Sequence, residues 1–398
     1  MSINELERQT QLPVGFNWVR LGDHVSRIGS GFTPRGGQEA YVPTGIPLIR
    51  SQNVHMNRFK PNGLAFISPA QDAEMAGSRV QENDVLLNIT GASIGRVCVV
   101  DREYCPANVN QHVCVIRTAK SIDPEFLAFF LSSPTFQAFI WGSQAGATRQ
   151  ALTKGMVEDF LVPRGPLAEQ RRIAARLKEE LAEVARARTA VEAQLKAAQL
   201  LPAALLRNVF QGTDAKLWPI KQFWEVVDNF DGRREPLNLS DRQKRQGEYP
   251  YYGASGIIDH IDDYQFDGEF LLVGEDGANL LARSTPIAFT ATGKFWVNNH
   301  AHVVRPKQGV LIDWLRHYFA SIDLSPFVSG SAQPKLSQEN LNTIPTPVPT
   351  EAVQSELAQK LNSELLQHET LSNSIQSRLD TIEKLPAALL RNAFRTLQ

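Results

Sequence analysis

The stretch LPAALLRN occurs twice, at Leu201–Asn208 and at Leu385–Asn392, each time followed after one residue by phenylalanine, Phe210 and Phe394. The two lie 184 positions apart (385 minus 201). Carried backwards without gaps, that offset pairs Gly146 with Gly330, Leu152 with Leu336, Thr153 with Ser337, Pro163 with Pro347, Gln170 with Gln354 and Leu177 with Leu361. An offset of 188 pairs Asn110, His112 and Val115–Arg117 with Asn298, His300 and Val303–Arg305, and an offset of 200 pairs Trp18 with Trp218. A register held that long marks an internal duplication, which decides the fold before any other reading. The copies run Trp18–Phe210 and Trp218–Phe394.

Composition bounds the rest. A chain of 398 residues suffices for two or three domains, and 42% hydrophobic with 21% charged residues is ordinary for a folded globular protein. No apolar run reaches the ~18 residues of a membrane helix, and MSINELERQT lacks the plan of a signal peptide. The three cysteines, Cys98, Cys105 and Cys114, have no CxxC spacing, so neither a disulfide framework nor a thiolate zinc site is expected. A cytoplasmic location fits these features. Formal charge is 41 minus 42, or -1, so bulk electrostatics alone does not point to nucleic acid.

Texture changes once within each copy. Residues 18–165 and 218–349 hold many Gly, Pro and Asn among short apolar runs such as VLLNI, VCVI, FLLV and AHVV, which predicts mixed α/β units with short strands. Residues 166–200 and 350–384 contain no glycine and repeat apolar positions at helical spacing. A heptad-like seam follows Leu177, Leu181, Val184, Val191, Leu195 and Ala198 in the first helix, and Leu361, Leu365, Ile375, Leu379 and Ile382 in the second. Arg188 interrupts one seam and His368 and Ser372 the other, as polar devices that fix register do. Pro202 and Pro386 are expected to break the helices and start short return helices.

The fold class that follows is two α/β (α+β) globular domains joined by two long antiparallel α-helices, a coiled-coil spacer with pseudo-twofold symmetry. Its segments are 1–16 (N-terminal), 17–165 (first domain), 166–212 (first helical region), 213–349 (second domain) and 350–398 (second helical region). The alternative has each helix packing on its own globular unit. A helix of about 34 residues spans roughly 50 Å. A pseudo-twofold molecule suits a ligand with two separated half-sites, and duplex DNA is such a ligand.

The chain resembles the specificity subunit of type I restriction-modification systems over essentially its whole length. The first domain carries the resemblance in NWVRLGDHVSRIGSGFTPRGG (Asn17–Gly37), IPLIRSQNV (Ile46–Val54) and NDVLLNITGASIGRVCVV (Asn83–Val100), and the helix entry in FLVPRGPLAEQRRIAARL (Phe160–Leu177). The second domain is similar to another subtype of the module through YPYYGASGIIDHID (Tyr249–Asp262) and NNHAHVV (Asn298–Val304). The second helix entry departs from the first, with Pro349, Thr350 and Val353 replacing Gly165, Pro166 and Glu169. The resemblance implies two target-recognition domains reading different half-sites of an asymmetric bipartite DNA target. It also implies a non-catalytic chain. Two methyltransferase subunits would carry S-adenosylmethionine and methylate adenine, and motor-nuclease subunits would carry ATP and Mg, with no cofactor on this chain.

No enzymatic motif contradicts that. Gly293–Lys294 lacks the other residues of a phosphate-binding loop, and neither an (N/D)PP(Y/F) tetrapeptide nor a G-x-G-x-x-G turn is present. His300 and His302 are expected on one face of a strand without a third ligand, so no metal site is expected. His112 and His300, paired across the copies, are expected to share a role, either a structural hydrogen bond or a DNA contact, with the structural one favoured.

DNA contacts call for Arg, Lys, Asn, Gln and hydroxyl side chains on loops, some at phosphates and some at base edges. The first-domain candidates are Arg35, Arg50, Gln52, Asn53, Thr90, Ser93, Arg96 and Arg149. Those of the second are Arg233, Arg234, Arg242, Lys244, Arg245, Tyr252, Ser255, Lys294 and Lys335. Residues 18–165 carry 14 basic and 12 acidic side chains, residues 218–349 carry 12 and 16, so the chain alone is expected to bind DNA poorly. The rival readings are a scaffold or adaptor that reads no sequence, and the same module serving a fused methylase-nuclease.

Overall fold

The computed structural model describes residues 12, 14–143, 151–330 and 333–394. They form two compact units: the described residues up to Val191 with those from Arg378 onward, and Glu192–Ser377. Two long helices, Leu167–Gln211 and Glu351–Ala393, contribute residues to both.

Each unit is built on a four-stranded antiparallel array of the same order. In the first unit it runs Val25–Ser30, Val113–Thr118, Val85–Asn88, Val97–Val99, and in the second Val227–Asn229, Ala301–Pro306, Phe266–Gly274, Ala288–Val297. The additions differ. The first unit has a separate four-stranded sheet, whereas in the second the hairpin Gln246–Gly253 and Gly256–Ile261 extends the array to six strands. A two-stranded ribbon lies at each helix entry, Asn17–Arg20 with Leu161–Arg164 and Ile220–Gln222 with Pro345–Pro347. Ribbon register opposes Trp18 to Pro163 and Ile220 to Pro347. The structural counterpart of Trp18 is therefore Ile220, at offset 202, and the pairing with Trp218 is corrected. Trp218 precedes the strand and packs on Trp314 instead, with ring centroids 5.3 Å apart.

The apolar runs are buried on both faces because alternate residues enter different cores. Val85 and Leu87 join one core with the helical side chains Phe126 and Phe130, while Leu86 joins Val54 and Val109 in another. In the second unit Leu271 and Val273 pack with Trp314 and Phe319, and Phe270 and Leu272 with Phe266 and Phe295.

Helix entry uses one device twice. Gln170 is fully buried; its oxygen accepts from the Asp123 amide, and its nitrogen donates to the carbonyls of Ser121 and Gly165. Gln354, also fully buried, accepts from Leu311 and donates to Gly309 and Pro349, the corresponding positions. About two helical turns further on, Lys178 pairs with Glu125 at 2.5 Å, where the second unit has Asn362 donating to Asp313 at 3.0 Å.

Within each unit the long helices run antiparallel. In the first, Ile173, Ala174 and Leu177 share a core with Leu390 and Phe394, whose ring lies 5.4 Å from both Phe126 and Phe130, and Arg188 is 3.6 Å from Glu383. In the second, Phe210 packs 4.6 Å from Trp314, and His368 reaches the carbonyl of Ala198 at 2.8 Å. The seam residues Leu177, Val191, Leu361, Ile375 and Leu379 are buried; Leu181, Val184, Leu195, Leu365 and Ile382 are half-buried.

Pro202 and Pro386 do not break the helices, contrary to the sequence expectation. Both sit inside continuous helices of 45 and 43 residues. A proline removes one hydrogen bond without ending a helix when neighbouring packing holds the turns on either side. The first helix is consequently about 68 Å long rather than roughly 50 Å.

Candidate nucleic-acid interface

In the first unit, strand Val85–Asn88 ends in a glycine-rich turn. Gly91 and Gly95 adopt φ of 70° and 86°, a left-handed backbone that favours glycine, and the Gln137 side-chain end packs close against Gly95. Thr90 bridges to Ala151 and accepts or donates at His112 Nδ1, 2.6 Å away. The Asn88 amide donates to the Ser51 carbonyl and so ties on the neighbouring turn. Ser51, Gln52, Thr90, Ser93, Arg96 and His112 thereby line an open polar hollow of about 460 Å³, with Gly91 and Ala92 at its edge. Four predicted residues, Gln52, Thr90, Ser93 and Arg96, come together here.

The others divide. Arg50 donates to the Gly63 carbonyl, as does Gln52, and its guanidinium lies 5.6 Å from the Tyr41 ring. Arg35 is exposed on the GFTPRGG loop, anchored beside the hollow by Gly31 N–H to the Asn110 carbonyl and by Thr33 to Gln111. Asn53 is fully buried, donating to the carbonyls of Lys60 and Asn62 and accepting from the Arg50 amide. It holds the loop and has no surface to offer a ligand. Arg149 lies outside the described residues. Arg35, Arg50 and Arg96 make no ion pair among the described residues.

The second unit repeats the frame around different chemistry. Asp276 bridges to Lys335 as Thr90 does to Ala151, and His300 Nδ1 is 2.7 Å from Asp276 as His112 is from Thr90. Asn110 and Asn298 each accept from the amide of the histidine two residues on. Both histidines thus bond within the turn that carries them, and His112 also lines the hollow.

Its predicted cations are mostly neutralised. Arg234 is nearly buried, 2.7 Å from Glu275 and 3.5 Å from Asp231, and also donates to the Ala301 carbonyl. Lys335 is 3.1 Å from the other Glu275 oxygen. Arg242 pairs with Asp259 and lies over Tyr251; Arg245 pairs with Asp262 and Asp263 and lies over Trp296. Arg233 covers Phe266, and Lys294 sits 4.5 Å from the Tyr264 ring centroid, whose hydroxyl raises the ammonium pKa. Tyr252 is half-buried between Phe289 and Phe295, with its phenol pushed up by burial. Ser255 is exposed in the hairpin turn, and Lys244 is exposed at the end of helix Leu239–Lys244.

His300 and His302 do not share a face. The strand begins at Ala301, so His300 belongs to the preceding turn and is exposed, whereas His302 is 1% exposed. His302 Nδ1 faces Asp231 at 2.5 Å and its Nε2 donates to the Leu336 carbonyl at 2.8 Å. Asp231, Glu275 and His302 place possible ligand atoms within 4.8 Å of one another. Their atoms are already occupied: Asp231 accepts from Val303 and His302, and Glu275 is flanked by Arg234 and Lys335, whose charges oppose a cation. Burial would raise the Asp231 and Glu275 carboxyls, but hydrogen bonds to His302 and Arg234, with the neighbouring positive charges, hold both below their ordinary values. Asp231 escaped the sequence reading because it lies 71 residues from its histidine. Cys98 and Cys114 are buried free thiols, pushed up to about 12 by burial.

A sequence profile for the type I restriction modification DNA specificity domain matches residues 13–195 and 216–380. The chain belongs to this family, as a type I restriction-modification specificity subunit. It is 24% identical over 404 residues to the type I restriction enzyme EcoprrI specificity subunit of Escherichia coli, covering 97% of this chain and 94% of that one. A candidate type I restriction enzyme specificity subunit of Haemophilus influenzae is 35% identical over 158 residues, 40% of this chain and 39% of that protein. Among solved structures, the HsdS subunit of Thermoanaerobacter tengcongensis superposes with a TM-score of 0.65 at 20% identity, over 97% of this chain and 98% of that one. A chain from a structure of type I R-M complex assembly and conformational transition gives 0.71 at 20% identity, over 97% and 99%. These likenesses bear on the fold. No helix among the described residues is long and apolar enough to cross a membrane.

Proposed function

We propose that residues 17–165 and 213–349 each read one half of an asymmetric bipartite DNA target, and that the paired long helices act as the spacer between them. The observation that carries this reading is that both halves match one DNA specificity domain and repeat one strand order, yet surround the same frame with different exposed groups. Loops of the first domain would supply Arg35, Gln52, Thr90, Ser93 and Arg96; in the second, exposed Lys244 and Ser255 are the least committed to internal contacts, with Lys294 beside Tyr264. Because so many second-domain cations already pair with carboxylates, tight binding would depend on partner subunits that add phosphate contacts. Methyltransferase subunits carrying S-adenosylmethionine, and motor-nuclease subunits carrying ATP and Mg, are the partners proposed, in the cytoplasm. This chain would contribute recognition and no catalysis.

Mapping methylated adenines in the host, with and without a deletion of four residues from each long helix, tests the reading. The deletion should change the unread gap between half-sites, since readers engage one face of B-DNA only near whole turns of about 10 to 10.5 base pairs. An unchanged gap would contradict the spacer, and no salt-dependent sequence preference in the methylase complex would favour an adaptor instead.

A further inference from the structure

Proline at position 202 lacks the N–H that would bond the carbonyl of Ala198, one turn earlier in the same helix. Ala198 is buried, so an unmet carbonyl there has little access to water. Its partner comes from the opposite helix. His368 Nε2 lies 2.8 Å from that oxygen, and Ser372 Oγ is 3.0 Å from the same nitrogen. A carbonyl only accepts, so Nε2 carries the proton. All four residues belong to one compact unit.

The other copy provides an internal control. Pro386 stands 184 positions after Pro202 and likewise lacks an N–H for the carbonyl of Ile382. Positions 184 before His368 and Ser372 hold Val184 and Arg188. Valine has no side-chain donor. There Val184, Arg188, Ile382 and Pro386 line an open groove of about 860 Å³. The same proline faces a histidine donor in one unit and has valine at the matching position in the other.

We propose that His368 is a positioning residue that locks the register of the helix pair, and through it the spacing of the two DNA half-sites. In the interior of a helix each carbonyl is already bonded to the amide four residues on. The proline-freed oxygen is the exception, so it marks one position for an incoming donor. A slip of one turn, about 5.4 Å, would take the imidazole from this open acceptor to carbonyls that already hold a backbone amide and are poorer partners for it. Polar residues in an apolar helix seam act in this way, trading stability for a single alignment. The link to half-site spacing rests on the spacer reading above; the lock itself does not.

The test uses the full chain as His368→Val, His368→Gln, Pro202→Ala and the double variant His368→Val with Pro202→Ala. Amide exchange in residues 192–211 reads the lock, and the spacing of methylated sites, with the methyltransferase subunits present, reads its consequence. His368→Val should speed exchange roughly tenfold, the effect of an unmet buried carbonyl, and should add a second half-site spacing. Pro202→Ala restores the helical N–H, so the double variant should recover slow exchange while the second spacing persists, because the alignment mark is gone. His368→Gln, which keeps a donor, should preserve one spacing. Unchanged exchange in His368→Val, or no recovery in the double variant, overturns the lock. Exchange that moves and recovers while every variant keeps one spacing overturns the role in specificity. Should even the unsubstituted complex methylate without sequence preference, the spacer reading fails, and the exchange arm still judges the lock.

Discussion

The two units share a skeleton and differ in what they do with charge. Around the turn after the second core strand, the half-buried Thr90, Ser93 and Arg96 of the first unit line an open hollow, and Arg35, Arg50 and Arg96 have no carboxylate partner among the described residues. At the corresponding place the second unit buries Asp231, Glu275 and His302 under Arg234 and Lys335. One frame therefore supports an open polar hollow whose arginines make no ion pair among the described residues and a charged network closed on itself. Equal position in a duplicated chain does not mean equal role.

The largest effect that tests this contrast should come from Arg234→Ala. It leaves Asp231 and Glu275 short of a buried counter-charge, a loss of roughly 3–5 kcal/mol read in urea unfolding. Arg96→Ala, at a half-buried edge of the hollow where the arginine makes no ion pair, should change stability by no more than about 1 kcal/mol. Equal losses would erase the distinction between the units. Gln170→Ala and Gln354→Ala should each cost about 1–3 kcal/mol, and by similar amounts, since each removes the same three buried hydrogen bonds. A marked inequality would show that the helix entries are not mechanically alike.

Acid should act on the second unit. Its Asp231 and Glu275 carboxyls are held below their ordinary values, so their stabilisation is present above the unfolded carboxylate range near pH 4 and is lost as pH falls through the depressed folded values. Unfolding midpoints measured between about pH 5 and pH 2 should fall for the native chain, and less steeply for Arg234→Ala. The smallest effect concerns DNA. In the methylase complex, Arg96→Ala should reduce the slope of log affinity against log salt by about 1 if the residue meets a phosphate. An unchanged slope would move the phosphate contact elsewhere in the hollow.

Much of the frame was legible because it is periodic or repeated. Glycine-free stretches with helical spacing located both long helices, and the pairing of Gln170 with Gln354 marked a shared junction before its hydrogen bonds were known. What escaped depends on partners distant in sequence. Helix continuity through Pro202 escaped because the donor to Ala198, His368, stands 170 residues away. The different fates of His300 and His302 turn on where a strand begins, set by the turn that Asn298 closes. For the candidate site, loop residues at Gln52, Thr90, Ser93 and Arg96 were recognisable by type, whereas the withdrawal of Asn53 and Arg234 into internal bonding was not. A side-chain type indicates what it can bond to, and packing decides which group arrives first.

The apolar strands have a final consequence. Leu86 and Leu87 face opposite cores, as do Leu272 and Leu271, so neither broad face of the central array is left for a ligand. Contact with an outside molecule falls to the rims, where the chain reverses direction. Residues there can be replaced without reopening the interior, so a lineage carrying this architecture can acquire a new target while its scaffold stays intact. Evolvability of recognition is thus a by-product of burying the sheet twice.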